Sequence, residues 1–197
     1  LLAEEPGNSL VIETIAYTHY QAGDLERAAE WYGRAEQVNP TDPELLRNRA
    51  SVALELGDPQ TALAALRRAL EYDEDDPDLA LILARAEQQA GNATAALEAY
   101  ERHVELTDTP GADALLEYAA LLEERQFYAD AIEVLANAAD AAGVQPGQQA
   151  LAHFERGRLL LTEAQEVEAG LDAVRTAITL GFGDAEEYAD LLANPDL

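Results

Sequence analysis

Apolar residues fall along this chain in short helical stripes, each pair of stripes separated by a polar turn. Ile12, Ile15, Ala16 and Tyr20 share one helical face, Gly23-Asp24 makes a turn, and Ala28, Tyr32 and Ala35 share the face that follows. The pattern then returns. Leu46, Ala50 and Ala53 precede Gly57-Asp58, with Ala62, Leu66 and Ala69 after it; Ala80, Leu83 and Ala84 precede Gly91-Asn92, with Ala96, Tyr100 and His103 after it. Gly23, Gly57 and Gly91 lie 34 residues apart. A period of that length with one turn in its middle predicts antiparallel helix pairs stacked side by side. Helix formers dominate and strand formers are sparse, so the expected fold class is an all-α solenoid.

The period sets the boundaries. The first three helix pairs are expected at 9–42, 43–76 and 77–110. A fourth, 112–145, arrives one residue late, and the extra residue falls in the turn-rich stretch Thr107–Gly111. Leu115, Ala119 and Leu122 pattern its first helix, and Ala131, Leu135 and Ala138 its second. The fifth pair, 150–183, is looser, with Phe154, Gly157 and Leu160 on one helix and Leu171, Val174 and Ile178 on the other. Its internal turn, near Ala164–Glu168, has no glycine and one extra residue. Asp42-Pro43, Asp58-Pro59 and Asp76-Pro77 pair a capping acid with a proline suited to the first helical position. Residues 184–197 read as a closing helix. Residues 1–8 read as the tail of a preceding helix, because Pro6 lies 34 before Pro40, so the array is expected to continue upstream. Ile12 and Ile15 are then expected to be partly exposed, giving weak self-association through the N-terminal end.

These residues resemble the tetratricopeptide-repeat family. Its pattern is carried here by Ile12, Ile15 and Ala16 on the first helix of a pair and by Ala28, Tyr32, Ala35 and Pro40 on the second. The match is strong in the first three pairs, fair in the fourth and weak in the fifth. Glu74 and Asp108 stand where the pattern has its terminal proline, and Arg49 and Arg156 occupy usually aliphatic positions. The small residues have a steric reason. The two helices of a pair cross closely at Ala28, Ala62, Ala96, Ala131 and Gly170. Because alanine is the better helix former, Gly170→Ala is expected to be neutral or mildly stabilising. The resemblance implies a right-handed superhelix of about five pairs whose first helices line a concave groove holding partner segments. By that implication the groove residues are Tyr17, Tyr20, Arg47, Asn48, Leu81, Arg85, Gln88, Leu116, Phe154 and Arg158.

Charge changes the picture. The chain carries 39 acidic residues against 12 basic ones, a net charge of −27, and every basic residue is arginine. Such a chain repels nucleic acid and anionic membrane surfaces, and no apolar run is long enough to span a bilayer. The acids are spread over all the helices, which suits a protein working at high salt, as in a halophile. A GC-rich genome would explain the missing lysine but not the acidity. Cysteine is absent, which removes disulfides and thiol chemistry without setting the compartment; it stays open, with the cytoplasm slightly favoured.

Little else suggests chemistry. His19, His103 and His153 sit in different repeats at packing positions and are read as structural. The run Asp73–Asp78 lacks the glycine and glutamate of a calcium loop and reads as a solvated turn. No catalytic group, cofactor or metal site is expected. The function expected is a non-enzymatic protein-interaction scaffold; the alternative is a spacer or regulatory segment of a larger enzyme or assembly factor. Arg47, Arg85 and Arg158 are scarce cations that could fork onto the carboxylates of a partner protein or peptide, or pair with neighbouring acids such as Glu44 or Glu87. The family's lysine–asparagine clamp for chaperone tails is matched only by Asn48.

The charge count generates a test. The repulsion among 39 acids is strong in dilute buffer and fades in molar salt, where the screening length is about 3 Å. The melting temperature is expected to rise steeply from dilute buffer to molar KCl. A flat profile by circular dichroism would refute the high-salt reading.

Overall fold

Helix starts are fixed by side chains that accept the free N–H groups of a first turn. In the computed structural model, which describes residues 8–183, Asn8 caps α1 (Ser9–Gln21) and Asp24 caps α2 (Leu25–Val38). Asp42, Asp58 and Asp76 cap α3 (Pro43–Glu55), α4 (Pro59–Leu70) and α5 (Pro77–Gln89), each with proline in the first turn. The tightest of these bonds runs from the Asp78 N–H to Asp76 Oδ1 at 2.8 Å. Each such cap is worth about 1 kcal/mol. The series continues with α6 (Ala93–Leu106), α7 (Ala112–Glu124), α8 (Tyr128–Ala139), α9 (Pro146–Leu159) and α10 (Val167–Thr179). The described residues are all-α. The predicted tail and closing helix, apart from Asn8, lie outside them.

The array, read from its period as continuous, divides into two compact units between Leu106 and Thr107. The division falls at the stretch where the fourth pair arrives one residue late. In the first unit, α1/α2, α3/α4 and α5/α6 pack as antiparallel pairs, and α2 and α4 each also pack on the helix that opens the next pair. Its core joins Ile12, Ala16, Ala28, Tyr32 and Leu45 in one cluster and Leu46, Ala50, Ala62, Leu66 and Leu79 in another. Ile12 is only 4% exposed rather than partly exposed, because Tyr32 and the alanines of the α1/α2 pair cover it, while Ile15 is half-buried. Arg49, a departure from the pattern, joins Arg68 in bracketing the mostly buried Glu36, tying α2 to α3 and α4. In the second unit, α7/α8 and α9/α10 form the pairs and α8 packs on α9.

Four pairs turn in the same way. The N–H of Gly23 donates to Tyr20 and that of Asp24 to His19, and the same two bonds recur at Gly57-Asp58, Gly91-Asn92 and Gln126-Phe127. This is the glycine helix stop whose key residue is left-handed. Gly23, Gly57 and Gly91 take φ of 74°, 74° and 81°, but in the fourth pair Gln126 adopts φ 65°. A residue with a Cβ is strained there by about 1–2 kcal/mol.

The fifth pair differs in two respects. Helix α9 starts at Pro146, four residues before the expected 150, because Pro146 suits a first helical position and the Gln148 side chain accepts the Gln145 N–H at 3.0 Å. The extra residue of its turn is absorbed as one π turn, residues 160–164, ended by left-handed Gln165 at φ 57°. The Glu166 N–H consequently reaches back to Leu160 O, one residue further than in the other turns.

The crossing of α9 and α10 corrects the expectation for Gly170. A Cβ on Gly170 would lie 2.7 Å from Leu161 Cγ and 3.1 Å from Gly157 O; one on Gly157 would lie 2.7 Å from Val174 Cγ2 and 2.9 Å from Gly170 O. Two glycines face each other, and both are used up by backbone contact. The gain in helix propensity, about 1 kcal/mol, is outweighed by overpacking of about 1–3 kcal/mol. Gly157→Ala and Gly170→Ala are both expected to lower stability in chemical denaturation, Gly157→Ala more, because it meets backbone rather than a movable leucine. Gln126→Gly, by contrast, is expected to raise stability by up to about 1 kcal/mol. A stabilised Gly157→Ala, or a destabilised Gln126→Gly, would contradict these turn and crossing geometries.

Candidate functional site

Tyr17 and Tyr20 lie on α1, Arg47 and Asn48 on α3, Leu81, Arg85 and Gln88 on α5, Leu116 on α7, and Phe154 and Arg158 on α9. All belong to the first helix of a pair; Tyr17, Tyr20 and Asn48 line a pocket in the first unit, and Leu116 and Arg158 line one in the second.

In the first unit, Tyr17, Tyr20, Tyr32, Asn48, Ser51 and Val52 line a pocket of about 120 Å³. Tyr17 is 55% exposed, and its ring centroid lies 6.5 Å from that of Tyr20. The Tyr20 hydroxyl donates to Glu55 at 2.6 Å, and this bond, with burial, raises its pKa. Tyr32 forms the floor, and burial, reinforced by Glu13 and Glu44 among its neighbours, pushes its pKa up to about 12. The pocket is therefore aromatic, uncharged at neutral pH and surrounded by acids.

In the second unit, Leu116, Ala119, Leu135 and Leu151 provide the apolar lining of a pocket of about 360 Å³, with Ala120, Glu123, Glu155 and Arg158 around it. Arg158 NH2 donates to Glu123 Oε2 at 2.6 Å, and Nε donates to Glu155 Oε2 at 2.8 Å. Burial works against the Arg158 charge, but these two hydrogen bonds outweigh it and raise the pKa above the ordinary arginine value.

The other expected residues serve elsewhere. Arg47 pairs with Asp76 at 3.6 Å and Asp78 at 3.5 Å, so it ties α3 to the start of α5 rather than standing free. Its partners are thus not Glu44 but the cap and first turn of the following pair. Gln88 accepts the Tyr100 hydroxyl at 3.0 Å, across the α5/α6 pair. Phe154 stacks on Phe182 at 4.2 Å between centroids. Leu81 and Arg85 are half-buried. Leu151 and Glu155 were not anticipated. Their spacing with Arg158, four and then three residues, is a helical face legible in the sequence, but it lies in the weakest repeat, on a helix that starts four residues earlier than the pattern predicts.

The histidines do not assemble. His103 is buried and its Nδ1–H donates to Pro77 O at 2.8 Å, while His19 Nδ1 lies 3.7 Å from Asp24. His153 is half-buried, and burial lowers its pKa. Among the described residues no cluster of histidine and acid side chains could hold a metal ion, and no helix is long and apolar enough to cross a membrane.

Residues 15–87 match the family model described as tetratricopeptide repeat. Among solved structures, the chain is similar to MamA, at 20% identity and a TM-score of 0.76 over 96% of both chains. It is likewise similar to YrrB, described as a tetratricopeptide-repeat protein with an unusual peptide-binding site, at 19% identity and 0.76 over 97% of this chain and 96% of that one. The first such domain of Spaghetti (RPAP3), bound to the HSP90 peptide SRMEEVD, matches at 20% identity and 0.57 over 60% of this chain and 93% of its own. No curated protein sequence matches the chain.

Proposed function

We propose that this chain, a member of the tetratricopeptide-repeat family, is a non-enzymatic scaffold that holds segments of a partner protein against the first helices of its pairs. The observation that carries the reading is the pair of concavities on those helices. Each is large enough for one or a few side chains and has an apolar or aromatic floor, in a chain whose net charge is −27. The peptide-binding descriptions of YrrB and of the Spaghetti domain support a peptide partner for a chain of the same fold.

The carboxylate-bearing partner expected from the arginines would have to compete with acids already in place. Asp76 and Asp78 hold Arg47, and Glu123 and Glu155 hold Arg158. Weak self-association through the N-terminal end rests on Leu10 and Tyr17, exposed on α1. The acidity supports a setting of high salt.

The test is affinity capture in molar KCl with the wild type, Tyr17→Ala and Leu151→Asp, each checked for folding by circular dichroism. A partner retained by the wild type and lost by either variant is the expected result. Equal recovery by all three would move the binding surface away from both pockets.

A further inference from the structure

We propose that the α7–α9 pocket takes a cationic partner segment: one apolar side chain seated among Leu116, Leu135 and Leu151, and beside it a lysine or arginine held by Glu123 and Glu155. The proposal deepens the scaffold reading and rests on it.

The argument is one of charge. Two carboxylates share a single guanidinium, so the triad at the pocket carries a net charge of −1. Arg158 spends its Nε and one terminal nitrogen on these acids. Both bonds use Oε2, and the Oε1 atoms are free to turn toward a second cation. An incoming carboxylate finds the opposite situation. It must either approach the remaining terminal nitrogen of Arg158 against the net −1 of the triad, or displace a glutamate whose side chain is only about a third exposed and leave that charge without its partner. An incoming lysine or arginine displaces nothing and relieves the repulsion between Glu123 and Glu155. The adjacent apolar floor adds its own requirement: Leu151, 36% exposed, offers surface to a side chain without charge. The occupant these features select therefore has an apolar residue next to a basic one. This reverses the sign expected from counting arginines in the sequence.

The experiment is fluorescence anisotropy with two labelled probe peptides at the lowest KCl concentration at which the wild type is fully folded. One peptide carries a leucine flanked by lysines in an alanine–glycine background; in the other, glutamates replace the lysines. The lysine peptide is expected to bind about tenfold more tightly or better. Glu155→Gln should weaken it several-fold, and Arg158→Gln, which removes the competing cation, should strengthen it. Glu133→Gln makes the same charge change as Glu155→Gln at an exposed position on α8 and should alter nothing. All variants are compared by circular dichroism, and Glu155→Gln serves as the deciding variant if Arg158→Gln does not fold.

Preference for the glutamate peptide, or weaker lysine binding in Arg158→Gln, would overturn the cationic assignment while leaving the scaffold intact. Equal losses in Glu133→Gln and Glu155→Gln would show diffuse attraction to an acidic surface and overturn the site. Failure of both peptides to bind would overturn the pocket as a docking place altogether.

Discussion

The closeness of the two helices in each pair is the constraint on which the rest of this structure depends. Ala28, Ala62, Ala96 and Ala131 are completely buried at the crossings, and in the last pair Gly157 and Gly170 bring two backbones into contact. Small residues at these positions let the helices sink together. That fixes where larger neighbours such as Tyr32, Leu66, Tyr100 and Leu135 insert. Within each unit, such residues also pack toward the next pair, as Tyr32 does with Leu45 and Leu66 with Leu79. The pockets on the first helices are a by-product of this arrangement. They open where a first helix, its own partner and the following first helix meet with small side chains such as Ser51 or Ala119 between them.

Most of the fold was legible because its determinants are local. A 34-residue period, a glycine for the left-handed turn and an aspartate before a proline each act within a few residues, so they can be read without knowing the packing. What was not legible depends on contacts across the chain. The effect of a Cβ on Gly170 is decided by Gly157 O and Leu161, not by helix propensity. The early start of α9 depends on an exchange between Gln145 and Gln148, a residue pair outside the usual serine or aspartate caps. The burial of Ile12 follows from Tyr32 and its alanine neighbours rather than from its place near the start of the chain.

Part of the lining of the two pockets was legible in the sequence, but the partners of the arginines were not. Tyr17, Tyr20, Asn48, Leu116 and Arg158 do line pockets on the expected helices. An arginine in an acidic chain, however, is more informative about its neighbours than about its ligands. With roughly three acids for every arginine, Arg47 and Arg158 each collect two carboxylates at the junctions between consecutive pairs. Arg49 and Arg68 share one on Glu36. These four arginines serve as mortar between repeats.

The π turn after α9 bears on how a gene for such an array can change. In the first four pairs, the small residues of the two helices are 12 positions apart, as in Ala16 and Ala28; in the fifth, Gly157 and Gly170 are 13 apart. Loss of one codon from any of the first four turns would rotate the second helix by about 100° and carry its apolar face away from its mate. Loss of one codon between Thr162 and Gln165 would instead restore the ordinary spacing and let an ordinary turn close. Among the described turns, this segment is the one whose geometry suits a frame-preserving deletion.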